Sequence, residues 1–377
     1  MRRVDLLSRA LVACALMTAP YIDWEIAADL GRWHLNVPVA DLCALLALGL
    51  AGVSGQLARV GIGETLGWLT LVAVGLASAH IGAGLPGVGP DGYHTLLRKP
   101  IFMLLGWRIA FAGVVRRTTV CGNRRWAIGW LTAGACVCAG VLIASSIARI
   151  QAGQTFWWAA IAGLTNNGKT LAVYLAPLLA LIGSPVAVAL VLIAIGLSWS
   201  KSAWITALFA LAWVRLPARV RGPVVAVGAV AGLVAMTFLP YLARSPEQID
   251  ALNSRISLDK RAWEMFCAHP FIGWGAGSNV RYEVSTYPDY RVNGVDAHGV
   301  FAKLGSEFGV LGTLGWLVAT TSLLLHFRRR ARGSRFDDAL YGCFLALHLN
   351  LLTSTETFSQ THWAILGLLC GLSARRR

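Results

Sequence analysis

Gly309-Val-Leu-Gly-Thr-Leu-Gly-Trp-Leu-Val-Ala-Thr-Thr-Ser-Leu-Leu-Leu325 runs without a single charged side chain. At a rise of about 1.5 Å per residue, such a run approaches the ~30 Å thickness of a bilayer's hydrocarbon core. Its apolar residues are continuous rather than alternating, so a helix is expected and a barrel strand is not. Comparable runs lie at Val37–Gly55, Leu66–Ala79, Trp126–Ala148 and Val224–Leu242. The chain of 377 residues is 56% hydrophobic and only 14% charged. This composition predicts an all-α, polytopic integral membrane protein, one domain over 1–377 with no soluble domain attached.

Outward from that run in both directions, the sequence turns polar. Downstream, Arg328, Arg329, Arg330, Arg332 and Arg335 form a basic cluster. Others are Arg116, Arg117, Arg124 and Arg125, then Arg215, Arg219 and Arg221, then Arg375 to Arg377. The net charge of +15 invites a nucleic-acid reading, but these arginines sit in short segments between apolar runs. That is the positive-inside pattern, so the clusters are expected in the cytoplasm and nucleic acid is not an expected partner.

Placing the N-terminus inside gives about twelve spans with both termini cytoplasmic. They are expected near 8–22, 37–55, 64–82, 100–115, 126–148, 168–182, 184–198, 202–214, 222–241, 299–325, 337–355 and 361–373. Over 168–214, one crossing satisfies the charge rule as well as three. Met1-Arg2-Arg3 before Leu6–Ala19 mimics a signal peptide, and the many spans behind it favour a retained first helix. Arg108 falls mid-span, where an internal ion pair or helix carbonyls are expected to hold it.

Upstream of the opening run lies the longest polar segment, Ala243–Val300, a large loop expected on the face opposite the arginines. Loops carry function where spans carry packing. Within it, Ser257 to His269 reads as a short amphipathic helix, with Ser257 as its cap and Pro270 as its stop. Leu258, Ala262 and Met265, flanked by Trp263 and Phe266, make the apolar side; Lys260, Arg261 and Glu264 are read as polar. Gly273, Gly275 and Gly277 at alternate positions point to a tight backbone passage. Arginine forks suit phosphate, and Arg255, Arg261, Arg281 and Arg291 all lie in this loop, which ends at His298. Surface ion pairs and a structural histidine remain the plainer readings of each residue taken singly.

Gly163-Leu-Thr-Asn-Asn-Gly168-Lys169-Thr170 matches a phosphate-binding loop letter for letter. The strand and soluble sheet that such a loop needs are not expected between membrane runs, so it reads as an outer loop opening the next helix. The cysteines are scattered, mostly through apolar runs, with no metal-ligand spacing.

Three blocks resemble the O-antigen ligase/polymerase superfamily of bacterial membrane glycosyltransferases. They are Leu197-Ser-Trp-Ser-Lys201-Ser-Ala-Trp, Arg261-Ala-Trp263 through His269-Pro-Phe-Ile-Gly-Trp-Gly275, and Asp296-Ala-His298-Gly-Val-Phe-Ala-Lys-Leu-Gly-Ser-Glu307-Phe-Gly309-Val-Leu-Gly312. The resemblance implies an enzyme of the bacterial inner membrane that moves a glycan from undecaprenyl diphosphate to an acceptor hydroxyl on the periplasmic face. It implies no metal and no cofactor. Its partners are a lipid-linked glycan donor, lipid A–core or a second glycan as acceptor, and membrane lipids. Ligation onto lipid A–core is the expected activity, and repeat-unit polymerisation is the alternative. By motif position, Lys201 and Arg261 hold the diphosphate and His298 lies at the reacting groups; Arg255, Arg281 and Arg291 are reserve diphosphate ligands. Lys201 departs from the family's usual arginine, and Gly299 from its asparagine. A lipid-linked glycan transporter is the reading from another class, but no internal repeat of the transporter kind is visible.

Overall fold

The computed structural model describes residues 7, 10–14, 25–29, 34–38, 42–43, 46–47, 49–50, 61–82, 108–109, 112–113, 124–153, 168–198, 200–225, 227–228, 246–275, 278, 299–352 and 360–373. Its helices are α1 (Ile62–Gly82), α2 (Arg124–Gln151), α3 (Gly168–Leu178), α4 (Pro185–Ser198), α5 (Lys201–Arg215), α6 (Pro246–Ala268), α7 (Val300–Ala331), α8 (Arg335–Leu351) and α9 (Gln360–Leu372). The helical expectation therefore holds. One addition is an antiparallel hairpin, β1 (Glu25–Asp29) and β2 (His34–Pro38), in which Glu25 faces Pro38 and Asp29 faces His34. Its second strand takes up the start of the run expected as a span at 37–55.

Among the described residues, three helices are long and apolar enough to cross a membrane: Ile62–Ile81, Arg125–Gln151 and Val300–Ala331. The expected count of twelve rests in part on segments outside the described residues. Over the ambiguous stretch 168–214 there are three separate helices, α3, α4 and α5, of 11, 14 and 15 residues. Each is shorter than the ~30 Å core at 1.5 Å per residue.

The longest packing seam joins α1 to α7, and small residues make it close. Gly63 and Gly67 of α1 face Ser322, Ala319 and Gly315 of α7. A Cβ on Gly67 would lie 2.5 Å from both the Ala319 nitrogen and the Gly315 oxygen. Small residues four apart let helix backbones touch where a bilayer offers no hydrophobic drive between helices. Beside this seam, buried Arg108 pairs with buried Glu64, whose Oε1 also accepts from the Trp68 indole at 3.4 Å. The pairing expected for Arg108 is present.

A polar staple joins three more helices. The Asn350 side chain on α8 donates to the Val173 carbonyl of α3 at 2.8 Å and accepts from the Thr206 hydroxyl of α5 at 2.7 Å. Toward the other end of α5, the Trp213 indole donates to the Asp338 carbonyl at 3.2 Å, and Arg221 pairs with the Asp338 carboxylate. Helices α5 and α8 are thus antiparallel. One end of the bundle collects Arg215, Arg221, Arg328, Arg329, Arg330 and Arg335. The other collects the start of α5, the start of α7 and the end of α8.

Candidate functional site at the end opposite the arginines

Helix α7 is not continuous. Gly309 has φ 60 and ψ −163, which breaks the helix between a short first part and the long apolar second part. A break inside a membrane helix frees backbone groups that lipid cannot satisfy. Here the segment after α6 takes them up. The Trp274 and Gly275 amides donate to the Ser306 and Glu307 carbonyls at 3.1 and 2.8 Å. The Val310 and Leu311 amides donate to the Pro270 and Phe271 carbonyls at 2.8 and 3.1 Å. No side chain fits between the two backbones: a Cβ on Gly273 would lie 2.4 Å from the Glu307 carbonyl carbon. Gly275 in turn passes Ser78 and Ala79 near the end of α1. The tight passage expected from the alternating glycines is this docking, seen at Gly273 and Gly275; Gly277 lies outside the described residues.

Helix α6 begins at Pro246, not at Ser257, so Ser257 is an interior residue rather than a cap. Proline suits a helix's first turn because its missing N–H has no partner there anyway. Leu258, Ala262 and Met265 are buried as expected. Two neighbours reverse their expected sides. Arg261 is only 2% exposed, whereas Trp263 is 64% exposed. The helix ends where expected, and the Trp274 indole closes it by donating to the Met265 carbonyl at 2.9 Å, with the His269 ring edge-on at 4.3 Å.

The proposed site residues distribute as follows. Lys201 is the first residue of α5, directly after Ser200, whose hydroxyl caps the helix by accepting from the Ala203 amide at 3.4 Å. Arg255 and Arg261 are on α6. Arg281, Arg291 and His298 lie outside the described residues. Gly299, the residue after His298, is the N-cap of α7, and a Cβ there would lie 3.4 Å from the Leu352 oxygen at the end of α8. Leu352 is two residues past Asn350, and Asn350 bonds Thr206. Thr206 is one and a half turns from Lys201, about 7.5 Å along the helix. The start of α5 and the residue following His298 therefore belong to the same end of the bundle. Arg261 joins it through α6, whose Phe266 ring lies 3.6 Å from a Cβ placed on Gly305 of α7.

The structure also buries two charged residues to which the sequence reading gave no role. Lys303 and Glu307 are 7% and 0% exposed, one turn apart on the short first part of α7. The signal for them was the opposite-charge spacing of four in a segment turning apolar. The phosphate-loop look-alike contributes Gly168, Lys169 and Thr170 to the first turn of α3; residues 163–167 lie outside the described set. Among the described residues no three His, Cys, Asp or Glu side chains gather in a way that would hold a metal ion.

The sequence model of a family described as O-antigen ligase matches residues 186–317. Over that segment the match supports the resemblance to the O-antigen ligase/polymerase superfamily. No curated protein matches the chain. The O-antigen ligase match takes in α4, α5, α6 and α7 through its break, and every proposed site residue lies inside it. The match supports a membrane-embedded enzyme of the ligase or polymerase type, acting in general on lipid-linked glycan.

Proposed function

We propose that this protein transfers a glycan from undecaprenyl diphosphate to a hydroxyl of lipid A–core, at the periplasmic face of the bacterial inner membrane. The reading rests chiefly on the family match over 186–317, the segment that holds Lys201, Arg261 and His298. In this scheme Lys201 and Arg261 stabilise the charge that builds on the departing diphosphate. Neutral His298 takes the proton of the acceptor hydroxyl, because an unperturbed imidazole titrates near neutrality. Arg255, Arg281 and Arg291 are further cations for the diphosphate. The anomeric carbon loses its bond to the diphosphate oxygen and gains one to the acceptor oxygen, with no metal required.

The test uses purified protein, a lipid-linked glycan donor and two acceptors in parallel, lipid A–core and a second lipid-linked repeat. His298→Ala and Arg261→Ala are each expected to abolish transfer while the protein stays folded and inserted. Full activity in both variants removes these roles. Product on lipid A–core supports ligation; product only on the second repeat replaces it with polymerisation. A chelator is expected to leave the rate unchanged, and a rate restored only by added divalent ion contradicts the metal-free scheme.

A further inference from the structure

The exposed apolar surface of α7 forms a stripe. Leu311, Leu314, Val318 and Leu325 recur at helical spacing and are all exposed. On a span of this length, such a stripe faces lipid chains. It continues past the break at Gly309. The Leu311 amide donates to the Phe271 carbonyl, and Phe271 is 70% exposed. From there the apolar surface passes to α6. Trp263 and Phe266 pair at a ring separation of 5.4 Å, Phe266 meets Gly305, and Phe301, one turn before Gly305, is exposed.

Helix α6 therefore has two apolar sides. One, with Leu258, Ala262 and Met265, packs inward. The other carries Ile256, Lys260 and Trp263 at spacings of four and three, all exposed. Water does not favour an outward tryptophan and isoleucine beside two exposed phenylalanines. A lipid interface does, because indole rings settle at headgroup level and a lysine stem lies along apolar surface while its ammonium reaches water.

We propose that α6 is an interfacial helix. Its outward row, together with Phe271 and Phe301, rests in the headgroup–acyl boundary of the leaflet at the end opposite the arginine clusters. The partner is the lipid surface itself, reached by continuity with the lipid-facing stripe of α7. This placement does not depend on the glycan-transfer reading. It adds one consequence that does: Arg261, on the inward side of the same turn, lies at the depth of a lipid-borne diphosphate.

The test is a depth measurement on the full chain in lipid nanodiscs. Trp263→Cys and Phe271→Cys, each in a Cys267→Ser background, carry an environment-sensitive fluorophore. Gly333→Cys, in the exposed turn between α7 and α8, serves as the aqueous reference. Both α6-side labels are expected to emit further to the blue than the reference, and to be quenched by phospholipids brominated near the headgroup end of the acyl chain. Emission and quenching equal to the reference at both positions overturn the proposal. So does the absence of quenching with energy transfer between labels on two copies, which assigns the surface to self-association. If Trp263→Cys fails to fold, Phe271→Cys alone decides. Glycan transfer is not the readout, so an inactive or differently active protein leaves the measurement intact.

Discussion

The Arg108–Glu64 pair shows what a single residue pattern discloses and what it withholds. A guanidinium in an apolar run must be paired, and it is. Its partner was not legible, because Glu64 lies at the start of a distant helix and nothing local marks the two as neighbours. Glu64→Gln leaves a buried cation without its counter-charge, a loss on the order of 3–5 kcal/mol in buried pairs. We expect a lower yield of monodisperse protein and a lower thermal midpoint in detergent, with recovery when Arg108→Met is added. A midpoint unchanged in Glu64→Gln contradicts a structural role for the pair. Lys201 calls for a different argument. It keeps the charge of the family's arginine without the fork. Lys201→Ala is expected to cut glycan transfer about a hundredfold, on the scale of losing one preorganised donor, whereas Lys201→Arg retains activity. Equal rates in wild type and Lys201→Ala, measured with saturating donor, exclude Lys201 from the site.

Among the elements, α7 and its docked segment are the most informative. The glycines at 273 and 275 were readable as a close approach, since alternate glycines have few other uses. The break at Gly309 was not, because Gly305, Gly312 and Gly315 recur around it in the same helix and what singles this one out lies in the partner segment 270–275. The start of α6 was missed for a related reason: Ser257 resembles a cap, but Pro246 opens the helix and the intervening residues simply continue it. Arg261 and Trp263 exchange expected sides because burial follows packing against α7 rather than polarity. Gly309 offers a contrast with a glycine in open space. Gly129 of α2 has nothing within 4 Å of an added Cβ, so Gly129→Ala should be neutral, or stabilising by up to ~1 kcal/mol through helix propensity. Gly309→Ala must accept φ 60 and a Cβ 2.5 Å from the Phe271 carbonyl carbon. It should lower the thermal midpoint and free the 270–275 segment, seen as faster amide exchange at Trp274 and Gly275 and at Val310 and Leu311. Equal midpoints for the two variants contradict the docking.

For the whole molecule, the controlling quantity is the separation of charge along the bundle axis. Arg215 closes α5, Arg221 beyond it pairs with Asp338 of α8, Arg328, Arg329 and Arg330 close α7, and Arg335 opens α8, all at one end. The opposite end holds the N-cap of α5, the N-cap of α7 and the docked segment 270–275, so the proposed chemistry and the basic clusters lie a bundle length apart. The sequence carried this asymmetry legibly, because clustered arginines mark one side whatever the exact helix boundaries. Helix lengths were legible over α4 and α5, expected at 184–198 and 202–214 and found at Pro185–Ser198 and Lys201–Arg215. Helix α3, expected to run to 182, ends at Leu178, while Asn350 of α8 ties α3 to α5 through Val173 and Thr206, partners that nothing local in the sequence marks as neighbours. The asymmetry assigns compartments to particular residues. Gly333, in the turn between α7 and α8, falls at the arginine end, which the positive-inside rule expects in the cytoplasm. Ala152, just past the end of α2, lies at the opposite end of that helix from Arg124 and Arg125 and is expected on the periplasmic side. In a Cys267→Ser background, a membrane-impermeant maleimide applied to intact cells should label Ala152→Cys directly and Gly333→Cys only after permeabilisation. The reverse pattern would turn the bundle over and put Lys201 and the start of α7 on the cytoplasmic side, where a periplasmic transfer to lipid A–core cannot occur.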